Sequence, residues 1–374
     1  MKNYRILLAV FTFTMLLALL GLSNLTTTYA ASPTPKPSPT MSPTPLPSPT
    51  LTPTPIPNPP YPDALKDKKL SIAWVGVPVQ NVWIFSTAKR GAMKKAGELS
   101  KIGDYKVEVL DYDPNSWDWA AQIKMLEKAG SKKGTVDAII TDCFDIQACV
   151  HAINVAVLRG IPVLIYDRDA SGGRWFTHYG IDNTEVGKIA ADLLKEALPK
   201  GGDVAVYISE QEVGAIQDRY KGFKDGVEGS QLSIVTDITE PDGNKSCQLI
   251  EDTMKEYPDI KGWFFTSPMP ILQNCANFTN WKKATQNGML TVSADAFPEE
   301  LDWIRAKKLY AAIDQPYWGW GYDTVQMMYD YMVYGKKFEK YTYVKPNIIT
   351  LKNVNAYQDM VKKNDYSTPL PPYK

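Results

Sequence analysis

Asp167 and Arg168 are the clearest candidates for chemistry in this chain of 374 residues. They directly follow an apolar run, residues 161–165 and Tyr166, that has the composition of a buried strand. Open α/β sheets bind ligands outside the carboxyl ends of their strands, so a carboxylate and a guanidinium at such an end are well placed to hold a small polar ligand. The pair therefore predicts a binding site rather than a structural ion pair.

Catalytic devices have little support in the sequence. The only histidines are His151 and His178, which leaves few residues for a Ser-His-Asp or Cys-His arrangement. Residues 111–122 begin like a calcium-binding loop, but Ser116 and Gln122 stand where that loop requires Gly and Glu. A glycosidase that uses two carboxylates stays open, because the distance between carboxylates cannot be read from a sequence. We otherwise expect no enzyme activity, no cofactor and no metal.

The elements that must position these residues alternate between short apolar strands and amphipathic helices, which predicts parallel α/β sheets. The predicted strands form two series, residues 70–77, 107–110, 136–141 and 163–166, and residues 204–208, 234–238, 263–266 and 290–294. Periodicity alone allows either two similar lobes or one doubly wound domain.

The charges of the chain balance, with 41 Lys and Arg against 41 Asp and Glu. No basic block is present, which argues against a nucleic-acid partner. The balance is compatible with a neutral ligand.

Two further motifs connect these observations. Residues 180–190 read Gly-Ile-Asp-Asn-Thr-Glu-Val-Gly-Lys-Ile-Ala, and residues 219–223 read Arg-Tyr-Lys-Gly-Phe. Together with the Asp-Arg pair, they resemble the ribose-binding branch of the bacterial periplasmic sugar-binding proteins. The resemblance implies two Rossmann-like lobes with parallel sheets, joined by a three-crossover hinge. It divides the folded part into an N-terminal lobe, residues 63–181 plus 316–345, and a C-terminal lobe, residues 182–315 plus 346–374.

The resemblance also implies a set of ligand contacts. A sugar presents apolar C–H faces and a rim of hydroxyl groups, which suit aromatic rings together with amide, carboxylate and guanidinium groups. The implied contacts are Gln80, Asn81, Trp83, Phe85, Asp167, Arg168, Arg219, Asp295 and Gln315. One of the two aromatic residues in this set is equally well explained as a cap on the core. Residues 241–244 and 267–270 depart from the family's pattern, so the identity of the sugar does not carry over.

The N-terminus predicts export. Lys2 and Arg5 precede an apolar run at residues 6–22, and small residues stand before Ala31, so residues 1–30 read as a signal peptide or as a retained N-terminal anchor. Residues 31–62 form a Pro/Ser/Thr-rich linker, which contains 14 of the 28 prolines. Such a segment is extended and semi-rigid, on the order of 90 Å long.

The four cysteines of an exported protein favour disulfides. Their spacing favours the pairs Cys143 with Cys149 and Cys247 with Cys275, although four cysteines allow other pairings. A metal site is the weaker alternative, because no Cys-x-x-Cys spacing accompanies them.

The sequence therefore predicts an exported monomer, in the periplasm or at the cell surface, that captures a sugar between two closing lobes. The resemblance implies delivery to the permease of an ABC importer. Two alternatives remain: a ligand-sensing partner of a chemoreceptor or membrane kinase, and a carbohydrate-active hydrolase.

Overall fold

The computed structural model describes residues 65–76, 83–114, 118–132, 134–209, 214–240, 245–366 and 368–374. The predicted signal, the predicted linker and the predicted ligand contacts Gln80 and Asn81 lie outside these residues. Within the described part of the chain, no helix is both long enough and apolar enough to cross a membrane.

The first of two sheets contains six parallel strands. They are β1 (Lys69–Val75), β2 (Lys106–Asp111), β3 (Ala138–Thr141), β4 (Val163–Tyr166), β5 (Thr177–Gly180) and β11 (Tyr341–Tyr343). Their order across the sheet is β11-β5-β4-β3-β1-β2, and every neighbouring pair is parallel.

The second sheet also contains six strands. They are β6 (Gly202–Ser209), β7 (Leu232–Glu240), β8 (Gly262–Phe265), β9 (Leu290–Ala294), β10 (Ala311–Ile313) and β12 (Ile348–Ile349). Their order is β12-β10-β9-β8-β6-β7, which repeats the order of the first sheet. Among the strands that the structure describes, only β12 runs antiparallel to its neighbour in the sheet. The predicted fold class, two mostly parallel α/β sheets, is confirmed.

Helices cover both faces of each sheet. They are α1 (Trp83–Ile102), α2 (Trp119–Ala129), α3 (Ile146–Leu158), α4 (Asn183–Ala197), α5 (Gly214–Val227), α6 (Ser246–Glu256), α7 (Met269–Leu272), α8 (Thr279–Gln286), α9 (Pro298–Arg305), α10 (Gly319–Tyr334) and α11 (Val354–Lys363). On the first sheet, α1 and α10 pack against one face, while α2 and α3 pack against the other. On the second sheet, α4 and α5 cover one face, and α6 to α9 with α11 cover the other.

Strand β1 shows why these layers form. Leu70, Ile72 and Trp74 are buried toward α1 and α10, whereas Ala73 and Val75 are buried toward α2 and α3. Successive side chains of a strand point to opposite faces, so a strand buried on both sides needs an almost continuous apolar run. The sequence of β1 provides that run.

The chain crosses between the two sheets three times. It leaves the first sheet after β5, returns to it after β10, and leaves it again between β11 and β12. We call the parts built on the first and second sheets the first and second lobes. The carboxyl ends of β4 and β9, which precede Asp167 and Asp295, belong to different lobes.

One of the two predicted cysteine pairs is present as a disulfide. A disulfide joins Cys247 to Cys275 in the helical layer of the second lobe, and closing a 28-residue separation stabilises a fold by about 3 to 4 kcal/mol in the chain-entropy view. Cys143 and Cys149 are both buried in the first lobe, and the pairing predicted for them stays a prediction. Both belong to the apolar cluster under α2 and α3.

Candidate functional site

Asp167 is placed by a sharp change of chain direction at the end of β4. Its φ of 59° lies in the left-handed region, which Asp tolerates better than most residues. Its backbone N–H donates to the carbonyl oxygen of Tyr179 (3.1 Å), and its own carbonyl oxygen accepts from Nε2 of His178 (2.9 Å). Burial lowers the pKa of His178, so this histidine is a neutral donor that fixes the turn.

Arg168 is held between carboxylates and an aromatic ring. Its Nη1 donates to Oδ2 of Asp142 (3.0 Å) and to Oδ2 of Asp167 (3.2 Å). Its guanidinium carbon lies 3.7 Å from the ring centre of Phe144, and that ring stacks on Trp119 with the centroids 4.1 Å apart. These contacts fix the plane of the guanidinium. We call Asp142, Phe144, Asp167 and Arg168 the first wall.

The charges of the first wall act on each other in a buried setting. Burial raises the pKa of Asp142 to about 7, against the lowering effect of Arg168. Burial also raises the pKa of Asp167, which Arg168 and Arg219 lower and Asp295 raises. Arg219 and Asp295 belong to the second lobe, so the two lobes place their charged groups around one cleft.

Asp295 occupies the matching position in the second lobe, directly after β9. Its φ of 82° again turns the chain, and its backbone N–H donates to the carbonyl oxygen of Ile313 (2.8 Å). Its Oδ1 accepts from Nε2 of Gln315 (2.7 Å) and from the hydroxyl of Tyr317 (2.9 Å). Gln315 and Tyr317 lie where the chain returns to the first lobe, so this carboxylate is fixed by residues of a crossover.

Arg219 completes the second lobe's side of the cleft. Its Nε donates to Oδ1 of Asn183 (2.8 Å), and its Nη1 donates to the carbonyl oxygen of Thr266 (2.8 Å) and lies 3.7 Å from Oδ2 of Asp295. The side chain is only 5% exposed. We call Asn183, Arg219, Asp295, Gln315 and Tyr317 the second wall.

The glycines of the two sequence motifs allow α4 and α5 to touch. A Cβ atom at Gly222 would lie 1.9 Å from the carbonyl oxygen of Thr184, and one at Gly187 would lie 2.0 Å from the carbonyl oxygen of Arg219. Only glycine permits such an approach of two backbones. The motifs therefore bring Asn183 and Arg219 within hydrogen-bonding distance.

The two predicted aromatic contacts have different surroundings. Trp83 is partly exposed at the start of α1, with its ring 6.0 Å from Phe297 of the second lobe and 5.3 Å from Tyr317. Phe85 is buried in the core of the first lobe and packs near Phe144. Of these two residues, Trp83 lies at the cleft. Phe85 belongs to the core of the first lobe and packs near Phe144 of the first wall.

The structure brings most of the predicted residues together. Asp167, Arg168, Arg219, Asp295 and Gln315 surround the cleft. Sequence reasoning missed Asp142, Phe144, Asn183 and Tyr317. The position of Asp142 directly after β3 is a usable signal, because Asp167 and Asp295 also directly follow strands.

The side chains around the cleft can hold a small polar ligand. Carboxylates accept hydrogen bonds from hydroxyl groups, guanidinium groups donate to oxygen atoms, and an indole ring packs against C–H faces. Within the described residues, no group of three or more His, Cys, Asp and Glu side chains is arranged to hold a metal ion. A separate groove of about 660 Å³ lies between α4 and the C-terminal segment and contains none of the residues of either wall.

Comparisons with known proteins agree with this arrangement. The family model of the periplasmic binding protein domain matches residues 72–337. The ribose import binding protein RbsB of Bacillus subtilis is 26% identical over 250 residues, which cover 67% of this chain and 77% of that protein.

Two solved structures share the fold. GanP, a glucose-galactose binding protein from Geobacillus stearothermophilus, is 23% identical with a TM-score of 0.65, and the alignment covers 76% of this chain and 98% of GanP. XylFII, in the structure of a XylFII–LytSN complex, is 22% identical with a TM-score of 0.61, over 76% of this chain and 98% of that chain.

Proposed function

The chain belongs to the periplasmic binding protein family, and from this we propose that it is an extracytoplasmic solute-binding protein that captures a sugar and delivers it to an ABC importer. One observation carries the proposal. An Asp–Arg pair from each lobe, with Gln315 of a crossover, lines the same cleft.

The groups of the cleft suit a polyhydroxylated ligand. Buried carboxylates and guanidinium groups need hydrogen-bonding partners, and the hydroxyl groups of a sugar both donate and accept. Trp83 adds an apolar surface for a C–H face. The names of two similar proteins, a ribose import binding protein and a glucose-galactose binding protein, support a sugar as the ligand class.

The arrangement of the lobes supports capture by closure. A ligand that touches Asp167 and Arg168 on one lobe and Arg219 and Asp295 on the other makes its full set of contacts only when the lobes are close. Ligand binding therefore favours the closed state, because the free energy of closure comes from contacts that the open state lacks. In this proposal the protein carries out no reaction.

A second candidate function is ligand sensing through a partner protein. It is favoured by the similarity to XylFII, which has been solved in a complex with LytSN. A sensing receptor would have the same cleft as an importer-linked binding protein. It would differ in the partner protein that binds its closed state. Uptake of labelled sugar by cells with and without this gene distinguishes the two functions. Loss of uptake in cells without the gene supports delivery to an importer, and unchanged uptake supports sensing.

Export and attachment form a separate part of the proposal. Lys2, Arg5 and the apolar residues 6–22 would direct the chain across the membrane, and residues 31–62 would act as a spacer. Retention of the apolar run would tether the lobes near the importer. N-terminal sequencing of the protein from washed membranes and from the medium tests whether the apolar run is retained. If all of the protein begins at Ala31 and none of it stays with the membrane, the tether is excluded.

The central experiment is binding of a carbohydrate panel, followed by calorimetry and thermal melting. A micromolar dissociation constant corresponds to about 8 kcal/mol, and ligand at about 1,000 times that constant stabilises the fold by about 4 kcal/mol. We expect a clear upward shift of the melting temperature with one sugar class. The double variant Asp167→Ala/Arg219→Ala should lose the shift. Shifts with amino acids or peptides alone would refute the proposal.

A further inference from the structure

The segment that follows α11 contacts both lobes. Helix α11 belongs to the second lobe, where Val354 and Tyr357 are buried in the core. After the helix, the ring of Tyr366 stacks on Trp318 at the start of α10 in the first lobe, with the centroids 5.6 Å apart and the planes inclined by 13°. Residues 368–374 then lie against the second lobe again. We call Tyr366 and residues 368–374 the strap.

The second half of the strap is fixed to the second lobe. The side chains of Leu370 and Tyr373 pack against its apolar clusters. The carbonyl oxygen of Pro371 accepts from Nδ2 of Asn353 (3.2 Å), and that of Tyr373 accepts from Oγ1 of Thr350 (3.0 Å). Both donors closely follow β12, the strand to which the third crossover leads. The strap is therefore attached to the second lobe where that crossover ends.

The groove of about 660 Å³ beside α4 lies along this attachment. It is lined by the strap and by residues 345–348 of the third crossover. The crossover therefore borders a groove rather than a packed core. Lys374 of the strap pairs with Glu196 of α4 (2.8 Å), but both side chains are exposed, so the pair contributes little to stability. The stacked ring and the two carbonyl contacts are the stronger attachments.

The first-lobe contact of the strap adjoins residues of the second wall. Trp318 directly follows Tyr317, and Gln315 lies three residues earlier on the same crossover. Gln315 and Tyr317 both donate to Oδ1 of Asp295. The ring of Tyr366 therefore rests on the crossover that holds a carboxylate of the cleft.

The second and third crossovers are also tied to each other. The carboxylate of Asp314 accepts from the backbone N–H of Asn347 (2.5 Å) and from its Nδ2 (2.9 Å), and the N–H of Asp314 donates to the carbonyl oxygen of Asn347 (3.0 Å). The strap contacts the chain beyond each of these two crossovers. It is thus a further connection between the lobes at the hinge.

The contacts of the strap belong to an arrangement in which the lobes are close. The ring of Trp83 in the first lobe lies 6.0 Å from that of Phe297 in the second. When the lobes rotate apart, Trp318 moves with α10 and Tyr366 moves with α11. The stacked rings must then slide or separate, so their contact favours the closed arrangement.

We propose that the strap biases the hinge toward the closed arrangement and holds the crossover that carries Gln315 and Tyr317, so that sugar affinity depends on a contact outside the cleft. The inference rests on the proposed function. The apparent affinity of a ligand that binds the closed state falls with the fraction of protein in that state. Loss of the strap's contact with the first lobe lowers that fraction.

Tyr366→Ala tests the proposal in the full chain, with the sugar that binds the parent protein most tightly. We expect the dissociation constant to rise about two- to tenfold, the range that one stacked aromatic pair provides. Stopped-flow measurements should assign most of the rise to faster dissociation, because the bound lobes open more readily. Small-angle X-ray scattering without sugar should show a larger radius of gyration than that of the parent.

Two substitutions serve as controls. Tyr366→Phe keeps the ring and removes only a hydroxyl that has no hydrogen-bonding partner among the described residues, so it should retain the parent's affinity. Tyr334→Ala removes a tyrosine that is 70% exposed at the far end of α10, and it should change neither the affinity nor the radius of gyration. Thermal melting shows whether each variant folds. If Tyr366→Ala does not fold, Tyr366→Leu replaces it, since leucine keeps an apolar side chain but cannot stack.

The outcomes separate the strap from the proposed function. A folded variant without the ring that keeps the parent's dissociation constant and radius of gyration overturns the strap and leaves sugar capture standing. Equal weakening by Tyr366→Phe also overturns it, because the ring would not be the cause. If no sugar binds the parent, the proposed function fails, and the scattering comparison still decides whether the strap holds the lobes together.

Discussion

The two walls of the cleft contain one Asp–Arg pair each, yet they are built by different means. On the second wall, Arg219 is held by an amide and a backbone carbonyl, and Asp295 is held by Gln315 and Tyr317. These partners are neutral. On the first wall, Arg168 is held mainly by two carboxylates and one aromatic ring.

The difference separates two ways to prepare a binding site. Neutral hydrogen bonds fix buried groups without adding charge, so the second wall is both a structural element of its lobe and a binding surface. The first wall instead places two carboxylates beside one partly exposed arginine, so its hydrogen bonds are charge-assisted. The two lobes share one strand order but hold their binding side chains in different ways.

Removal of the guanidinium of the second wall should have the largest effect. Arg219→Ala removes the hydrogen bonds to Asn183 and to the carbonyl of Thr266 and leaves the buried Asp295 without its opposite charge, and loss of one member of a buried pair costs about 3 to 5 kcal/mol. We expect a lower free energy of unfolding in denaturant titration and no detectable sugar binding. The control is Lys221→Ala, an exposed cation on the same helix, which should change neither quantity. Equal effects of the two substitutions would contradict the structural role of the second wall.

The contact between α4 and α5 gives the next largest effect. Gly222→Ala forces a Cβ atom against the backbone of Thr184, and overpacking of this kind costs about 3 kcal/mol. The shift should also move Arg219 and weaken ligand binding. Both are measured by thermal melting and calorimetry.

The same substitution elsewhere provides the control. Gly97 lies within α1, and a Cβ atom there would meet nothing within 4 Å. Gly97→Ala should therefore stabilise the protein by about 0.5 to 1 kcal/mol through helix propensity. If Gly222→Ala is also stabilising, the two helices do not depend on a glycine contact.

The sequence predicts the second wall better than the first, for a physical reason. Arg219 and the two glycines of the helix contact, Gly187 and Gly222, lie in two short segments, and one contact between helices sets their geometry. Local motifs therefore identify them. On the first wall, Phe144 stacks on Trp119, which belongs to a separate segment of the chain, and no spacing in the sequence predicts that contact.

The predicted strand ranges match eight of the twelve described strands and omit β5, β10, β11 and β12. β11 and β12 have three residues and two residues, and they pair with β5 and β10 across long stretches of chain. Such strands form because the rest of the sheet offers an edge, so their own composition carries little signal. The lobe boundaries that depend on these crossovers came from the family resemblance.

Asp167 offers a direct comparison of charge and backbone geometry on the first wall. Asp167→Asn removes the charge but keeps a residue that tolerates a φ of 59°, and the loss of a charged hydrogen-bonding partner should weaken binding by about 1 to 3 kcal/mol. Asp167→Ala should cost similar binding energy and also lower the melting temperature, because alanine disfavours the left-handed region. Calorimetry and melting separate the two contributions. Parent-like binding by both variants would place the ligand elsewhere.

The smallest effect is expected at the aromatic support of Arg168. Phe144→Leu keeps an apolar side chain but removes the ring face that lies 3.7 Å from the guanidinium carbon. A cation–π contact contributes about 0.5 to 1 kcal/mol at a partly exposed site, so the dissociation constant should rise about two- to fivefold. Phe338→Leu is the matched control, because that ring lies under Lys336 at 5.0 Å and contacts neither wall. A rise in the dissociation constant with Phe144→Leu alone would show that the first wall depends on the orientation of its arginine. An unchanged constant would mean that the two carboxylates hold Arg168 without the ring, so charge alone would distinguish the first wall from the second.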